Sequence, residues 1–215
     1  RSIGISATTY ALPASTTLAN SLRKEFPNLL IILGGAHANV AGIDAAKNIT
    51  SIDIVSYHPE GETVILDILK KFSDHNFSRD SFLKDLNIMK NIKGIIFKNK
   101  GKVIKNLPGE IIKDLDFLPL PARDLFPIER YVPLPNQYKK LPMTNMVVIR
   151  GCPYVCTFCD QAATTARRRS PQKVIEEMKD VVEKYGVKEI SFWDDTMSYH
   201  KKWMIEFCNL LIEAK

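Results

Sequence analysis

The chain has 215 residues, 45% hydrophobic and 25% charged, with a formal net charge of +6. This hydrophobic content is ordinary for a globular protein, and the length predicts one or two domains. No apolar run approaches the roughly 20 residues that cross a membrane, and no secretory signal is recognisable. We therefore expect no membrane span and a cytoplasmic location, where thiols stay reduced.

Strands and helices alternate over the first 75 residues. Apolar runs at 3–6, 29–33 and 52–55 predict strands, and the segments 14–25 and 63–72 predict helices. This alternation predicts an α/β fold with a parallel sheet and right-handed crossovers. Residues 94–105, with Asn99-Lys100-Gly101 between two apolar runs, predict a β-hairpin that ends a first domain at about residue 106.

A proline-rich segment follows the hairpin. Residues 107–142 hold seven of the twelve prolines, which predicts an extended linker over 107–143. A second domain is then expected over 144–215. Because the chain begins at Arg1 rather than Met and ends on a charged helix, we expect a fragment of a longer protein.

The second domain again alternates strand and helix. Strands are predicted at 146–149 and 189–193, and a helix is predicted from its N-cap Ser170 to a stop at Gly186. A last helix has an apolar face that includes Cys208, for which a buried, inert thiol is expected. Two β/α units of this kind are the start of a barrel.

Three cysteines lie in one short loop before the first helix of this domain. Cys152, Cys156 and Cys159 are spaced Cys-x3-Cys-x2-Cys, and Gly151 and Pro153 suit a tight turn. Thiolates are the usual ligands of iron–sulfur clusters, and three of them leave one iron of a cubic cluster open. Structural zinc would need a fourth ligand, and a disulfide framework is unexpected in a chain of this length.

The cysteine loop resembles the signature of the radical S-adenosylmethionine (radical SAM) superfamily. The resemblance implies that Cys152, Cys156 and Cys159 hold a [4Fe–4S] cluster whose open iron binds SAM, and that Phe158 lies near the adenine. In that family an electron from the cluster cleaves SAM to methionine and a deoxyadenosyl radical. A small reductant such as flavodoxin or ferredoxin is the implied electron donor.

Two carboxylates follow the second predicted strand of the barrel. Asp194 and Asp195 lie where the resemblance places the group that holds the amino group of SAM, and a carboxylate suits an ammonium. Capping of the next helix by Asp195 or Thr196 is the alternative. Arg150 could neutralise the cluster, bind a carboxylate or face solvent.

The first domain resembles the cobalamin-binding domain that precedes the barrel in one branch of the superfamily. The likeness lies in Gly4-Ile5-Ser6, Gly34-Gly35-x-His37, Glu60-Gly61-Glu62-Thr63 and the Leu115–Arg123 region, in that order. It implies a Rossmann-like domain, incomplete at its N-terminus, in front of the start of a (β/α) barrel. The implied cobalamin contacts are Ser6, Thr8, Gly34, Gly35, His37, Glu60, Gly61 and Glu62. Ordinary turn and helix-capping roles stay open for these residues, and the lower ligand of cobalt is not assigned.

The resemblance implies an enzyme that uses cobalamin and SAM to modify an unreactive carbon of a small molecule by methyl transfer, cyclisation or rearrangement. A methylthiotransferase-like RNA-modifying enzyme is an alternative, but its second cluster needs cysteines that residues 1–151 lack. A non-catalytic metal-binding module is another. Nucleic-acid binding is not expected, because the one basic run, Arg167-Arg168-Arg169, is not interleaved with aromatic residues.

Overall fold

A computed structural model describes residues 1–214 of the chain. The chain divides into two compact units, Arg1–Ile111 and the residues from Ile112 onward. None of the helices within the described residues has the length and apolar character required to cross a membrane.

The first unit is built on a five-stranded sheet with the order β1-β2-β3-β4-β5. Strands β1, β2 and β3 are parallel, whereas β4 and β5 are antiparallel to their neighbours. The α/β class and the terminal hairpin are therefore confirmed. The strands are β1 (Ser2–Ser6), β2 (Leu30–Gly34), β3 (Ile54–Ser56), β4 (Ile95–Asn99) and β5 (Lys102–Lys105), and the helices are α1 (Leu12–Glu25), α2 (Ala36–Asn48), α3 (Gly61–Asp74), α4 (Arg79–Lys84) and α5 (Leu86–Asn91).

The central strand β2 is buried on both of its faces. Side chains alternate between the faces of a strand, so Ile31 and Leu33 pack into one apolar cluster while Leu30 and Ile32 pack into another. A continuous apolar run is what a parallel strand covered by helices requires. The sheet is therefore the shared wall of both cores of this unit.

Helix α2 was not predicted, because its buried residues are small. Ala38, Ala45 and Ala46 replace the large apolar stripe that helix prediction depends on. A Cβ added at Gly42 would lie only 2.9 Å from Cδ1 of Ile96, so the helix packs close to the sheet. Helix α1 likewise packs through a small residue, because Ala19 is fully buried while Leu18 is 48% exposed.

The second unit contains a parallel strand pair, β6–β9, and a short antiparallel pair, β7–β8. Residues 112–142 of the predicted linker belong to this unit and contain three short 3-10 turns, Leu115–Phe117, Arg123–Leu125 and Ile128–Arg130. The remaining elements are β6 (Met143–Met146), β7 (Ile149–Arg150), β8 (Arg167–Arg168), α6 (Pro171–Tyr185), β9 (Glu189–Phe192), a 3-10 turn (Met197–Tyr199) and α7 (Lys201–Glu213).

Helix α6 has the predicted ends. The Ser170 hydroxyl accepts a hydrogen bond from the Lys173 N–H at 3.3 Å, and Gly186 ends the helix at a φ of +64°. Two of its residues depart from a simple division into a buried apolar face and an exposed polar face. Val182 is exposed, whereas Glu177 is buried.

Candidate cofactor site

The base of the cysteine loop is a two-residue strand pair. Ile149 of β7 pairs with Arg168 of β8, and Arg150 pairs with Arg167. Gly151 follows at a φ of +85°, and a Cβ there would collide with the carbonyl oxygen of Thr165. Glycine is therefore required where the loop leaves its first strand.

Hydrogen bonds to backbone and side-chain groups close the loop around its three cysteines. The Cys152 N–H donates to the Thr164 hydroxyl oxygen at 2.8 Å, and the Thr164 N–H donates back to the Cys152 carbonyl at 2.9 Å. The Cys159 N–H donates to the Cys156 carbonyl at 3.2 Å. Cys156 and Cys159 therefore share one turn, while Cys152 lies at the closed base. The hydrogen bonding of Thr164 to Cys152 was not predicted, because the two residues are 12 positions apart and no local pattern indicates the contact.

The three thiols are free and differ in exposure. Cys152 is buried, Cys159 is half-buried and Cys156 is exposed. Across residues 1–214, no three His, Cys, Asp or Glu side chains are grouped so that they could hold a metal ion. Three reduced thiols on one closed loop nevertheless have the donor chemistry that an iron–sulfur cluster needs. Cys208 is exposed, so the expectation of a buried thiol there is wrong.

Asp194 organises the entry to the loop. Its Oδ1 accepts hydrogen bonds from the Val148 and Ile149 N–H groups at 2.8 and 2.6 Å. These two amides therefore turn toward the carboxylate, and the strand predicted over 146–149 is split between β6 and β7. Its Oδ2 is buried and has no hydrogen-bond partner among residues 1–214. Burial raises the pKa of Asp194, and the two amide hydrogen bonds oppose that rise.

The neighbouring candidates are arranged differently around the loop. Asp195 is exposed, and α7 is capped by Nδ1 of His200, which accepts from the Trp203 N–H at 3.1 Å. The capping role considered for Asp195 and Thr196 is therefore filled by another residue. Phe158 is 91% exposed on the loop, and Arg150 lies in β7 directly before it.

One aromatic contact at this site was not predicted. The ring of Tyr154, in the cysteine loop, meets that of Tyr199 edge to face at a centroid distance of 6.0 Å. Tyr199 belongs to the 3-10 turn after β9, so the turn that follows Asp194 and Asp195 touches the loop directly. The two residues lie far apart in sequence, and no local pattern indicates their pairing.

In the first unit, several candidates meet at the carboxyl ends of β1 and β2. Ser6 and Gly34 are register partners, and both strands end there. A Cβ at Gly35 would lie 2.7 Å from the Ala7 nitrogen, so this glycine is required by the chain's own packing. Gly34 has no atom within 4 Å of the corresponding position and leaves open space. Of these two glycines, Gly34 is therefore the one that offers room for the close approach of a ligand.

His37 lies in the first turn of α2 rather than in a loop. Its ring Nδ1 is 3.1 Å from the Thr9 hydroxyl, and its backbone N–H donates to the Ala7 carbonyl at 3.0 Å. Its Nε2 is buried and has no hydrogen-bond partner within the described chain. The ring is therefore held by Thr9, with one nitrogen enclosed.

The remaining candidates of this unit have local roles. Glu60 is fully buried at the N-cap of α3, and its N–H donates to Nδ1 of the buried His58 at 3.1 Å. Glu62 is exposed in the first turn of α3, where a carboxylate favours the helix N-terminus. Thr8 accepts a hydrogen bond from the Ala11 N–H at 3.3 Å in the turn before α1.

The second unit matches a known family. Residues 146–214, which include the cysteine loop, Asp194 and Asp195, match the family model of the radical SAM superfamily. Residues 146–214 of this chain belong to the radical SAM superfamily.

Relatives of this chain extend the likeness over both units. An uncharacterized methyltransferase of Pyrococcus horikoshii is 30% identical over 207 residues, 95% of this chain and 41% of the relative. An anaerobic magnesium-protoporphyrin IX monomethyl ester cyclase of Synechocystis is 28% identical over 98% of this chain and 39% of the relative. A cytidylyl-2-hydroxyethylphosphonate methyltransferase of Streptomyces wedmorensis is 29% identical over 46% of this chain and 19% of the relative. The chain thus spans about 40% of the length of the first two relatives.

Proposed function

We propose that this chain supplies the cofactor-binding parts of a radical SAM enzyme that uses a [4Fe–4S] cluster and cobalamin to modify an unreactive carbon. The observation that carries the proposal is the match of residues 146–214 to the superfamily, centred on a closed loop with three free thiols. The chemistry supplied by the bound cluster is the one-electron cleavage of SAM to methionine and a deoxyadenosyl radical.

The cluster would be held by Cys152, Cys156 and Cys159. The hydrogen bonds between Cys152 and Thr164 fix the loop base, so the turn of Cys156 and Cys159 is the part free to adjust around a cluster. The 3-10 turn after β9 covers one side of the loop through Tyr199. The protein's task here is to hold the thiolates together and limit the access of water.

SAM would lie between the cysteine loop and the end of β9. The unpartnered Oδ2 of Asp194 is a free acceptor for the SAM ammonium, because its Oδ1 is already occupied by two amides. Asp195 is exposed beside it and adds a second negative charge. Phe158 would contact the adenine, and Arg150 would contact the cluster or the SAM carboxylate.

Cobalamin would lie at the carboxyl ends of β1, β2 and β3, where open α/β sheets bind their ligands. The room at Gly34 and the exposed Ser6 hydroxyl favour the approach of a large flat ligand there. The other proposed contacts follow the same strands. Those after β1 and β2 are Thr8, Gly35 and His37, and those at the helix N-terminus after β3 are Glu60, Gly61 and Glu62. We propose no lower ligand for cobalt.

The reaction class follows from the relatives, whose names include both methyltransferases and a cyclase. We therefore propose methyl transfer or cyclisation on a small molecule, with a small one-electron reductant protein as partner.

The test is the production of deoxyadenosine by the full chain. The protein would be reconstituted with iron and sulfide without oxygen and then mixed with dithionite and SAM. We expect deoxyadenosine from the wild type and none from Cys156→Ala, while the matched variant Cys208→Ala, which removes another exposed thiol, keeps the activity. A protein that binds zinc, forms no cluster and cleaves no SAM would instead be the non-catalytic metal-binding module.

Cobalamin binding needs a separate titration. We expect hydroxocobalamin added to the full chain to show a saturable change in its absorbance spectrum. Gly34→Val should remove this change while the chain stays folded, since the added side chain enters open space. Ala14→Val, on the exposed face of α1, is the control of similar size. Equal binding by both variants would exclude the end of β2 as the corrin site.

A further inference from the structure

Helix α6 carries a buried carboxylate that holds two arginines at once. Glu177 has a side chain that is only 2% exposed, and its Oε1 lies 2.5 Å from Nη2 of Arg123. Its Oε2 pairs with Nη1 of Arg169. The two arginine side chains are 9% and 11% exposed, so all three charges are shielded from water. A buried charge is tolerated only when it is paired in this way.

Arg169 lies directly after β8, the return strand of the cysteine loop. The pairing of β8 with β7 closes the loop at its base. The Arg169 N–H donates to the Val148 carbonyl at 2.9 Å, and the Arg169 carbonyl accepts from Nε1 of Trp203 at 2.7 Å. The position of Arg169 therefore determines where the return strand lies against β7.

Arg123 comes from the proline-rich segment, which contacts residues 167–170 at two further points. Nη1 of Arg167 donates to the Ile112 carbonyl at 2.5 Å, and the Ser170 N–H donates to Oδ1 of Asp116 at 2.9 Å. The segment 112–123 thus runs alongside residues 167–170. Glu177 joins the two, because it binds one arginine from each.

We propose that Glu177 is a positioning residue for the cysteine loop. By holding Arg169 and Arg123 together, it fixes the return strand β8 against β7 and so sets the base from which the cluster-binding cysteines are presented. Neither arginine nor Glu177 is in the loop itself. As far as it concerns a cluster, this inference rests on the proposed function; the conformation of the loop can be tested without one.

The test compares Glu177→Gln with Glu176→Gln. Gln keeps the shape of the side chain but leaves two buried guanidinium groups without an opposing charge. Glu176 is the neighbouring carboxylate on α6, exposed and paired with Lys173. We expect hydrogen exchange in residues 149–169 to accelerate in Glu177→Gln only, with exchange in the first unit unchanged. In the reconstituted protein we expect iron release to a chelator to become about tenfold faster, the usual effect of losing support behind a metal ligand.

Arg169→Lys keeps the charge beside Glu177 and decides the matter if Glu177→Gln does not fold. It loses the fork geometry of the guanidinium, so loosening confined to residues 149–169 is expected there also. Unchanged exchange in both variants, or equal acceleration across α6 and α7, would overturn the proposal. If the wild type takes up no iron, the proposed function fails, whereas the exchange comparison still decides the role of Glu177.

Discussion

Each unit of this chain contains a buried carboxylate between two arginines. In the first unit Asp53 binds Arg23 and Arg79, both at 2.6 Å, and in the second unit Glu177 binds Arg123 and Arg169. The carboxylates are similarly hidden, with side-chain exposures of 4% and 2%. The chemistry of the two networks is the same, so any difference in their roles must come from what the arginines are attached to.

The Asp53 network lies away from every candidate cofactor residue of its unit. Asp53 directly precedes β3, and its Oδ2 accepts from the Ile31 N–H at 2.9 Å near the start of β2. This is the amino end of the parallel strands, whereas Ser6 and Gly34 end β1 and β2. In α/β folds the amino ends contribute to stability and the carboxyl ends to binding. We propose instead that Glu177 supports the cysteine loop.

The largest expected effect is on the stability of the first unit. Asp53→Ala leaves two arginines without their partner, and we expect a loss of about 3–5 kcal/mol in the free energy of unfolding of that unit. Urea denaturation followed by circular dichroism would measure it. Trp193 and Trp203 both belong to the second unit, so their fluorescence reports that unit separately.

The control for this change is Asp67→Ala. Asp67 forms an i,i+4 pair with Lys71 on α3 and is 41% exposed, for which a loss of about 0–1 kcal/mol is expected. In Asp53→Ala, the unfolding transition seen by tryptophan fluorescence should shift less than the one seen by circular dichroism. Equal shifts would show that the network also stabilises the second unit.

A smaller effect is expected at Asp194, where two substitutions separate support of the backbone from charge. Asp194→Ala removes the acceptor of two amides and should destabilise the second unit by about 2 kcal/mol, measured by tryptophan fluorescence. Asp194→Asn keeps an acceptor oxygen, so at a pH of about 4 stability should change little, while SAM affinity measured by equilibrium dialysis at neutral pH should fall. Unchanged SAM affinity in Asp194→Asn would leave this carboxylate with a structural role alone.

The charge of Asp194 also predicts a pH dependence. Burial raises its pKa in the folded chain above the ordinary value of about 4. At a pH between the unfolded-state and folded-state pKa values, the folded state binds more protons than the unfolded state. The stability of the second unit therefore falls as the pH rises through that interval, and it stays lower at higher pH. Thermal unfolding of the wild type and Asp194→Asn should therefore diverge as the pH rises from about 4. A difference that is constant from acid to neutral pH would contradict this assignment.

The sequence predicted the elements whose signals are local. The β2 run, the hairpin at Lys100 and Gly101, and the two ends of α6 at Ser170 and Gly186 each depend on a few neighbouring residues, and all were confirmed. Helix α2 was missed because its alanines and Gly42 pack by being small, which leaves a weak apolar period.

Long-range contacts explain what the sequence could not predict at the site. Asp194 splits a predicted strand by taking two amides from a segment 45 or 46 residues away. From the sequence alone Glu177 is an ordinary exposed helix residue. Its burial depends on Arg123, which lies 54 positions away in the chain. The cysteine spacing indicated the chemistry of the loop, but the residues that support it depend on the fold.

The smallest expected effect is that of a substitution at Ser170. It tests the contribution of the start of α6 separately from that of the return strand β8. The Ser170 hydroxyl caps the helix, while the Ser170 N–H binds Asp116 through the backbone and is unaffected by side-chain changes. Ser170→Ala should therefore cost about 1 kcal/mol in the stability of the second unit, measured by tryptophan fluorescence. Because this substitution leaves the ion pair between Arg169 and Glu177 intact, hydrogen exchange in residues 149–169 should stay at the wild-type rate. Acceleration there as large as in Glu177→Gln would mean that the helix start, rather than the buried carboxylate, holds the loop in place.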